Sequence, residues 1–317
     1  MMKKIFVLYT GGTIGMCQSE HGLQPDTQLV HTALAPFSDC QFNWHICQPL
    51  IDSSAVTPQN WADWLTLVQN ALPQHDGVLI LHGTDTLAYT AALFALALDT
   101  QGKPIVLTGS QKPFGSNNSD APSNLQTAIA ALQCDDIHEV LLAFNGKLFP
   151  AIGCSKISTE TDNGFSNAHF GEWQPENIPR IFSGCLSRQF CANISVLPIY
   201  LVPAMNLTAA THLLNTSAAD AAVLMSFGHG NAPNDADFLA AIQRFTASGK
   251  LVLNISQVTQ GCTAAVYAQG NALRQSGAIY GGKCNIETAI ALLMLAVANQ
   301  WTANEIQQEL SRLKLLA

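Results

Sequence analysis

Residues 4–15 read Lys4-Ile5-Phe6-Val7-Leu8-Tyr9-Thr10-Gly11-Gly12-Thr13-Ile14-Gly15, a short apolar run that breaks into paired glycines flanked by threonines. A run this short and this apolar, bounded by turn formers, is the pattern of a strand buried on both faces of a parallel sheet. The pattern returns at Gly77–His82, Pro104–Thr108 and Glu139–Phe144. Helical segments fall between these runs. One opens at Thr57-Pro58, an N-cap followed by proline at the first helical position, and carries Trp61, Trp64, Leu65, Val68 and Leu72 at helical spacing. Others span about 86–98 and 122–132. Strand and helix in alternation predict an α/β fold with mostly parallel sheets and right-handed crossovers.

Between about 146 and 187 the chain turns to Gly, Ser, Asn and Pro, the composition of loops and hairpins. The alternation then resumes. Strands are expected at Ile194–Leu201, Ala221–Ser226 and Leu251–Ile255, and helices near 207–215, 235–246, 286–298 and 303–313. The division expected is a larger α/β domain over 1–185, a linker over 186–204 and a smaller α/β domain over 205–317.

Of the 317 residues 48% are apolar and 11% charged, a composition that excludes a disordered chain. The net charge of −8, with no run of Lys or Arg, argues against nucleic acid as a partner. Apolar stretches around 91–98 and 289–298 are too short to span a membrane, and the apolar run after Lys4 is too short for a secretory segment. Nine cysteines without a CxxC pair suit neither a structural zinc site nor a disulfide framework. Each is expected to be a small buried side chain in a reducing cytoplasm.

In a parallel α/β sheet ligands collect beyond the carboxyl ends of the strands. The first such segment is Thr10-Gly11-Gly12-Thr13, whose glycines allow a sharp turn and close backbone approach. It lacks the lysine of a P-loop and the spacing of a dinucleotide fingerprint, so nucleotide binding is not expected. Read alone, it is equally a tight turn in which Thr13 caps backbone. The next strands end in His82-Gly83-Thr84-Asp85-Thr86 and Thr108-Gly109-Ser110-Gln111, and Ser119-Asp120-Ala121-Pro122-Ser123-Asn124 follows. Asp85 alone reads as a helix-start charge. Together these segments gather hydroxyls, carboxylates and amides where a small polar ligand can be held. There is no GxSxG elbow; a threonine nucleophile needs another activator, and a lysine beside an aspartate would serve.

Thr10-Gly11-Gly12-Thr13-Ile14-Gly15 with Leu81-His82-Gly83-Thr84-Asp85-Thr86-Leu87-Ala88-Tyr89-Thr90 resembles the paired signature of the bacterial-type L-asparaginases, particularly the cytoplasmic type I enzymes. The resemblance extends through Asp52-Ser53-Ser54, Ser110, Asn124, Lys156 and Gly228–Pro233. It implies two unequal α/β domains, the first catalytic, and an amidohydrolase that converts L-asparagine and water to L-aspartate and ammonia. By the resemblance Thr13 is the nucleophile, and Thr84, Asp85 and Lys156 are the second threonine and its acid–base partners. Asp52, Ser53, Ser54 and Asp85 hold the α-amino and α-carboxylate groups, and the Ser110 main-chain oxygen faces the substrate amide. Asn231 reaches a neighbouring subunit's substrate, which implies a homodimer or homotetramer. Neither metal nor organic cofactor is implied.

The sequence departs from the family pattern in two places. Leu23 stands where the family carries a tyrosine in a flexible segment after the nucleophile, with His21 and Glu20 as candidate substitutes. Gly15 and Gly22 still suit that segment to act as a lid. Met225 and Val258 replace an Arg and a Cys of an effector site, so that site is expected to be absent or altered. Two competing readings follow. One is an asparagine-binding or sensing module whose turnover has weakened with the tyrosine. The other is the asparaginase-like subunit of a tRNA-dependent amidotransferase, which carries an extra N-terminal region that Met1, just ahead of the first strand, leaves no room for.

Overall fold

The computed structural model describes residues 2–19, 22–176, 188–203, 207–264 and 268–316, in two compact units, Met1–Ile178 and Pro179–Ala317. The first unit begins with strand β1 (Lys3–Tyr9), a hairpin of β2 (Met16–Ser19) and β3 (Gly22–Pro25), helix α1 (Thr27–Leu34) and strand β4 (Cys40–Ile46). Helix α2 (Pro58–Ala71), β5 (Gly77–Leu81), α3 (Leu87–Ala97), β6 (Ile105–Thr108), α4 (Ala121–Gln133) and β7 (Val140–Phe144) follow. Three short strands, β8 (Lys147–Pro150), β9 (Cys154–Lys156) and β10 (Phe165–Asn167), occupy the part of the chain expected to be loops and hairpins.

The six-stranded sheet runs β4-β1-β5-β6-β7-β8, parallel except for the β7–β8 hairpin. Its central strands β5, β6 and β7 are buried on both faces, which is why they read as apolar runs rather than as alternation. Ile5, Val7 and Tyr9 face one side with Val30 and Leu34 of α1 and Leu125, Ile129 and Leu132 of α4. Between them Leu8 and, on β5, Ile80 are equally buried, and α2 packs on β1 and α3 on β6 and β7. Helix α2 starts as expected: Thr57 and Asn60 form a reciprocal capping box ahead of Pro58.

Strand β4 and helix α1 were not among the expected elements. The Cys40-Gln41-Phe42-Asn43-Trp44-His45-Ile46 run alternates because β4 is a sheet edge, whereas the expected strands were sought as continuous apolar runs. Helix α1 is short and takes its start from Asp26, whose carboxylate accepts from the Gln28 amide.

In the second unit β11 (Val196–Tyr200), β12 (Ala221–Ser226), β13 (Leu251–Ser256) and β14 (Ile279–Tyr280) form a wholly parallel sheet in that order. Helices α5 (Leu207–Thr216), α6 (Ala236–Ala247), α7 (Ala268–Gln275), α8 (Ile286–Ala298) and α9 (Ala303–Arg312) connect and cover it. Strand β11 is the strand expected at Ile194–Leu201, inside the 186–204 stretch, and it pairs along its length with β12. Phe238, Ile242 and Phe245 of α6 pack with Ile199, Leu224 and Val252 of the sheet, and α8 packs on β12 and β13. Of the cysteines, Cys40, Cys47, Cys154 and Cys284 are buried as expected, Cys17, Cys134 and Cys262 are only partly buried, Cys191 is exposed in the loop before β11, and Cys185 lies outside the described residues. Among the described residues no helix is long and apolar enough to cross a membrane.

One buried charge anchors the end of the second unit. The Glu309 side chain, 1% exposed, accepts from Arg188 Nη2 at 2.7 Å and from Arg312 Nε at 2.8 Å. Burial lowers the Arg188 pKa, and the carboxylate opposes that shift. Removing one member of a buried pair leaves the other charge uncompensated. Glu309→Ala is therefore expected to destabilise the second unit by about 3 kcal/mol in urea unfolding. A loss below about 1 kcal/mol would show that water reaches Arg188 and compensates.

Candidate active site

Strand register places the site. Tyr9 pairs with Leu81 and Leu81 with Thr108, so β1, β5 and β6 end level and release their following loops side by side. The pairing continues past the strands: Thr10 N donates to Leu81 O at 3.0 Å, and His82 N to Thr108 O at 2.9 Å. The loops then meet main chain to main chain. A Cβ on Gly12, which has φ +94°, would stand 2.5 Å from the Cα of Gly83, and one on Gly109 would overlap the His82 carbonyl oxygen. Glycine is required at both positions by these approaches. Each of Gly12 and Gly83 directly precedes a threonine of the expected site, Thr13 in one loop and Thr84 in the other.

Thr13 opens a single 3-10 turn, Thr13–Gly15, and is partly buried. Thr84, Asp85 and Lys156 come together: Lys156 Nζ donates to Thr84 Oγ1 at 2.8 Å and to Asp85 Oδ1 at 2.7 Å. The lysine is largely enclosed at 18% side-chain exposure, while Asp85 is open at 58%. Lys156 ends β9, and Ile157 N closes the β9–β10 hairpin by donating to Gly164 O.

Ser53 ties a further segment to the same loop. Its buried hydroxyl accepts from Asp85 N at 3.2 Å, and its carbonyl accepts from Thr86 Oγ1 at 2.8 Å. Asp52 and Ser54 flank it in the open, with Asp52 Oδ1 accepting both the amide and the hydroxyl of Ser54 at 2.9 Å. Ser110 is buried beyond Gly109, its hydroxyl donating to Lys112 O. Asp120 and Asn124 hold that loop from the start of α4, and Gln111 and Lys112 reach from it to Thr161 and Asp162 beside the Lys156 hairpin.

Sequence reasoning quoted His82 within a motif without a task for it. The side chain is wholly buried, with Nδ1 2.7 Å from the Gly83 carbonyl. A carbonyl only accepts, so Nδ1 carries the proton. Nε2 accepts from the Thr90 hydroxyl at 3.0 Å, and Thr90 Oγ1 accepts in turn from Trp61 Nε1 at 2.9 Å. Burial pushes the imidazole down to about 4, against the opposing pull of the Gly83 carbonyl.

Tyr9 was passed over because a tyrosine was sought only after the nucleophile. It is fully buried, its hydroxyl lies where a Cβ on Gly15 would stand, and that hydroxyl has no hydrogen-bond partner among the described residues. Burial, with Asp26 adding to it, raises the phenol to about 12. The segment expected to act as a lid is the β2–β3 hairpin, in which Leu23 pairs with Gln18. His21 and Glu20 lie outside the described residues. Asn231, Met225 and Val258 belong to the second unit. Asn231 closes a turn by donating its amide to Phe227 O, Met225 is half-buried on β12, and Val258 is exposed. Among the described residues no cluster of three or more His, Cys, Asp or Glu can hold a metal ion.

Two family models match the chain: "Asparaginase, N-terminal" over residues 4–177 and "Glutaminase/Asparaginase C-terminal domain" over 195–310. The chain is 30% identical to L-asparaginase 1 of Escherichia coli K12, over 98% of this chain and 96% of that protein. The structure of the thermostable L-asparaginase from Thermococcus kodakarensis superposes with a TM-score of 0.86 at 26% identity, covering 99% of each chain. That of L-asparaginase I from Vibrio cholerae gives 0.85 at 27%, covering 100% of each.

The buried imidazole has a consequence for stability. Between about 4 and 6.5 the unfolded chain binds a proton at His82 that the folded chain refuses, so this site's contribution falls as pH drops through that window. The full loss is on the order of 3 kcal/mol. Urea unfolding at pH 7 and pH 5 is expected to show a smaller acid loss in His82→Gln than in the wild type. Equal losses would mean that His82 is protonated in place.

Proposed function

The chain belongs to the asparaginase family, and we propose that it converts L-asparagine and water to L-aspartate and ammonia through a β-aspartyl ester on Thr13. The observation that carries this reading is Lys156, hydrogen-bonded at once to Thr84 and Asp85 on the loop whose Gly83 abuts Gly12, next to Thr13. Nothing in the relatives favours the asparagine-sensing alternative.

The Thr13 hydroxyl attacks the side-chain amide carbon, and its proton leaves through the Thr84–Lys156–Asp85 chain. A proton returned to the amide nitrogen lets ammonia depart. Water then attacks the ester carbon, releasing aspartate and restoring the hydroxyl. Lys156 takes part as the amine that receives this proton by way of the Thr84 hydroxyl and as the ammonium that returns it toward the leaving nitrogen. Main-chain amides of the packed Gly12 and Gly83 loops supply the oxyanion donors, fixed before the reaction begins. Asp52 and Asp85, both exposed, face the α-ammonium with Ser53 and Ser54 beside them. The Ser110 carbonyl accepts a hydrogen bond from the departing amide, a bond that an ester substrate lacks.

The enzyme works in the cytoplasm, in keeping with its free cysteines, as a homodimer or homotetramer in which Asn231 serves a neighbouring subunit's substrate. The low fraction of charged residues, 11%, favours such association.

Thr13→Ala is expected to abolish turnover while L-asparagine still binds, measured by ammonia release and calorimetry. An acyl ester trapped on Thr84 would reverse the assignment. Lys156→Met should lower kcat by at least about a hundredfold, the low end of acid–base catalysis; near-normal rates would remove the lysine from the proton path.

Saturation with L-asparagine is expected to be hyperbolic, because Met225 cannot hold an effector's carboxylate as a guanidinium does. A sigmoidal curve abolished by substitutions around Met225 and Val258 would show a rebuilt effector site.

A further inference from the structure

Asp120 stands at the cap position of α4, where an aspartate ordinarily accepts from an amide inside its own helix. Its carboxylate makes no such cap. The nearest helix amides are served otherwise: Ala121 N donates to Ser119 Oγ at 3.1 Å, and Asn124 N to the Asp120 carbonyl at 3.1 Å. The carboxylate turns instead to the loop after β6, accepting from Gln111 N at 2.9 Å and Lys112 N at 2.9 Å. Asn124, wholly buried, completes the arrangement. Its Nδ2 donates to Asp120 Oδ2 at 3.0 Å and to Gly109 O at 2.9 Å, and its Oδ1 accepts from Asn145 N at 2.7 Å.

Ser110 thus lies between a residue held by Asn124 and two residues held by Asp120. From the other side Gly109 is stopped by the His82 carbonyl. The same loop extends to the Lys156 hairpin, where Lys112 Nζ pairs with Asp162 at 3.1 Å. A buried network whose donors and acceptors are matched fixes one geometry rather than many.

We infer that Asp120 and Asn124 are positioning residues for the amide-leaving step, holding the main chain at Gly109–Gln111 so that the Ser110 carbonyl meets the substrate's amide N–H. This rests on the assignment of that carbonyl to the substrate given above. Their action is selective by substrate, because L-aspartate β-methyl ester offers no N–H to that oxygen while passing through the same acyl ester.

The experiment compares L-aspartate formation from L-asparagine and from L-aspartate β-methyl ester in wild type, Asp120→Asn, Asn124→Asp and Gly109→Ala. Asp120→Asn keeps the volume but turns an NH2 group toward donors. Asn124→Asp sets a carboxylate against the Gly109 carbonyl. Gly109→Ala displaces the same main chain from the opposite side. The amide-to-ester ratio of kcat/KM does not depend on how much folded enzyme a variant yields, so a destabilised variant still reports. In all three variants the ratio is expected to fall about tenfold or more. A fall in Gly109→Ala with none in Asp120→Asn or Asn124→Asp would overturn the positioning role and leave Ser110 on the substrate. An unchanged ratio in all three would take Ser110 off the substrate, and the positioning role with it.

Discussion

The site depends on main chain packed directly on main chain. Parallel strands of matched register deliver their loops side by side, but side chains at the crossing points would hold those loops apart. Glycine at 11, 12 and 109 removes that spacing, so peptide groups of neighbouring loops lie in contact. Two things follow. The loops that carry Thr13 and Thr84 are held together by backbone rather than by flexible side chains, and their peptide groups have little freedom to reorganise.

Close main-chain packing leaves polar groups beneath it that water cannot reach, and each has to find a partner. His82 is the clearest case: its protonated nitrogen holds the Gly83 carbonyl, its other nitrogen takes the Thr90 hydroxyl, and Trp61 supplies the donor that Thr90 then lacks. An imidazolium would present donors on both sides, and burial excludes it. Asp120 and Asn124 play the corresponding part under the Ser110 loop, and Ser53 under Asp85 and Thr86. The loops of the candidate site rest on these buried hydrogen bonds, except at the Tyr9 hydroxyl, which has no partner among the described residues.

The sequence made the central strands, the crossover helices and the threonine-glycine loops legible, because buried parallel strands and close-packed turns leave compositional marks. It left β4 unread, since an edge strand alternates and resembles a surface segment, and α1, which is too short for a helical period to stand out. Asp52, Ser53, Ser54, Thr84, Asp85 and Lys156 stood in the motif, and the hydrogen bonds join Ser53, Thr84, Asp85 and Lys156 into one network. That Ser53 spends its buried hydroxyl on the Asp85 amide was not legible, because a serine's spacing says nothing of which loop lies over it. Asp120 stood in the sequence only as one of several polar groups near a ligand, and only the fold reveals that its carboxylate serves the loop after β6.

Charge placement separates what holds the molecule together from what acts on substrate. Glu309, 1% exposed between two guanidinium groups, has no open face, and its worth lies in what would be stranded without it. The Lys156–Asp85 pair has the opposite character, since its carboxylate is 58% exposed and an open pair contributes at most about 1 kcal/mol. Stability therefore gives little reason to place a lysine there, in a chain only 11% charged, with its ammonium shared between a carboxylate and a hydroxyl. On the proposed reading, this lysine exchanges a proton with the substrate that enters beside its open partner, which is the demand that hydrolysis of a small polar amide makes.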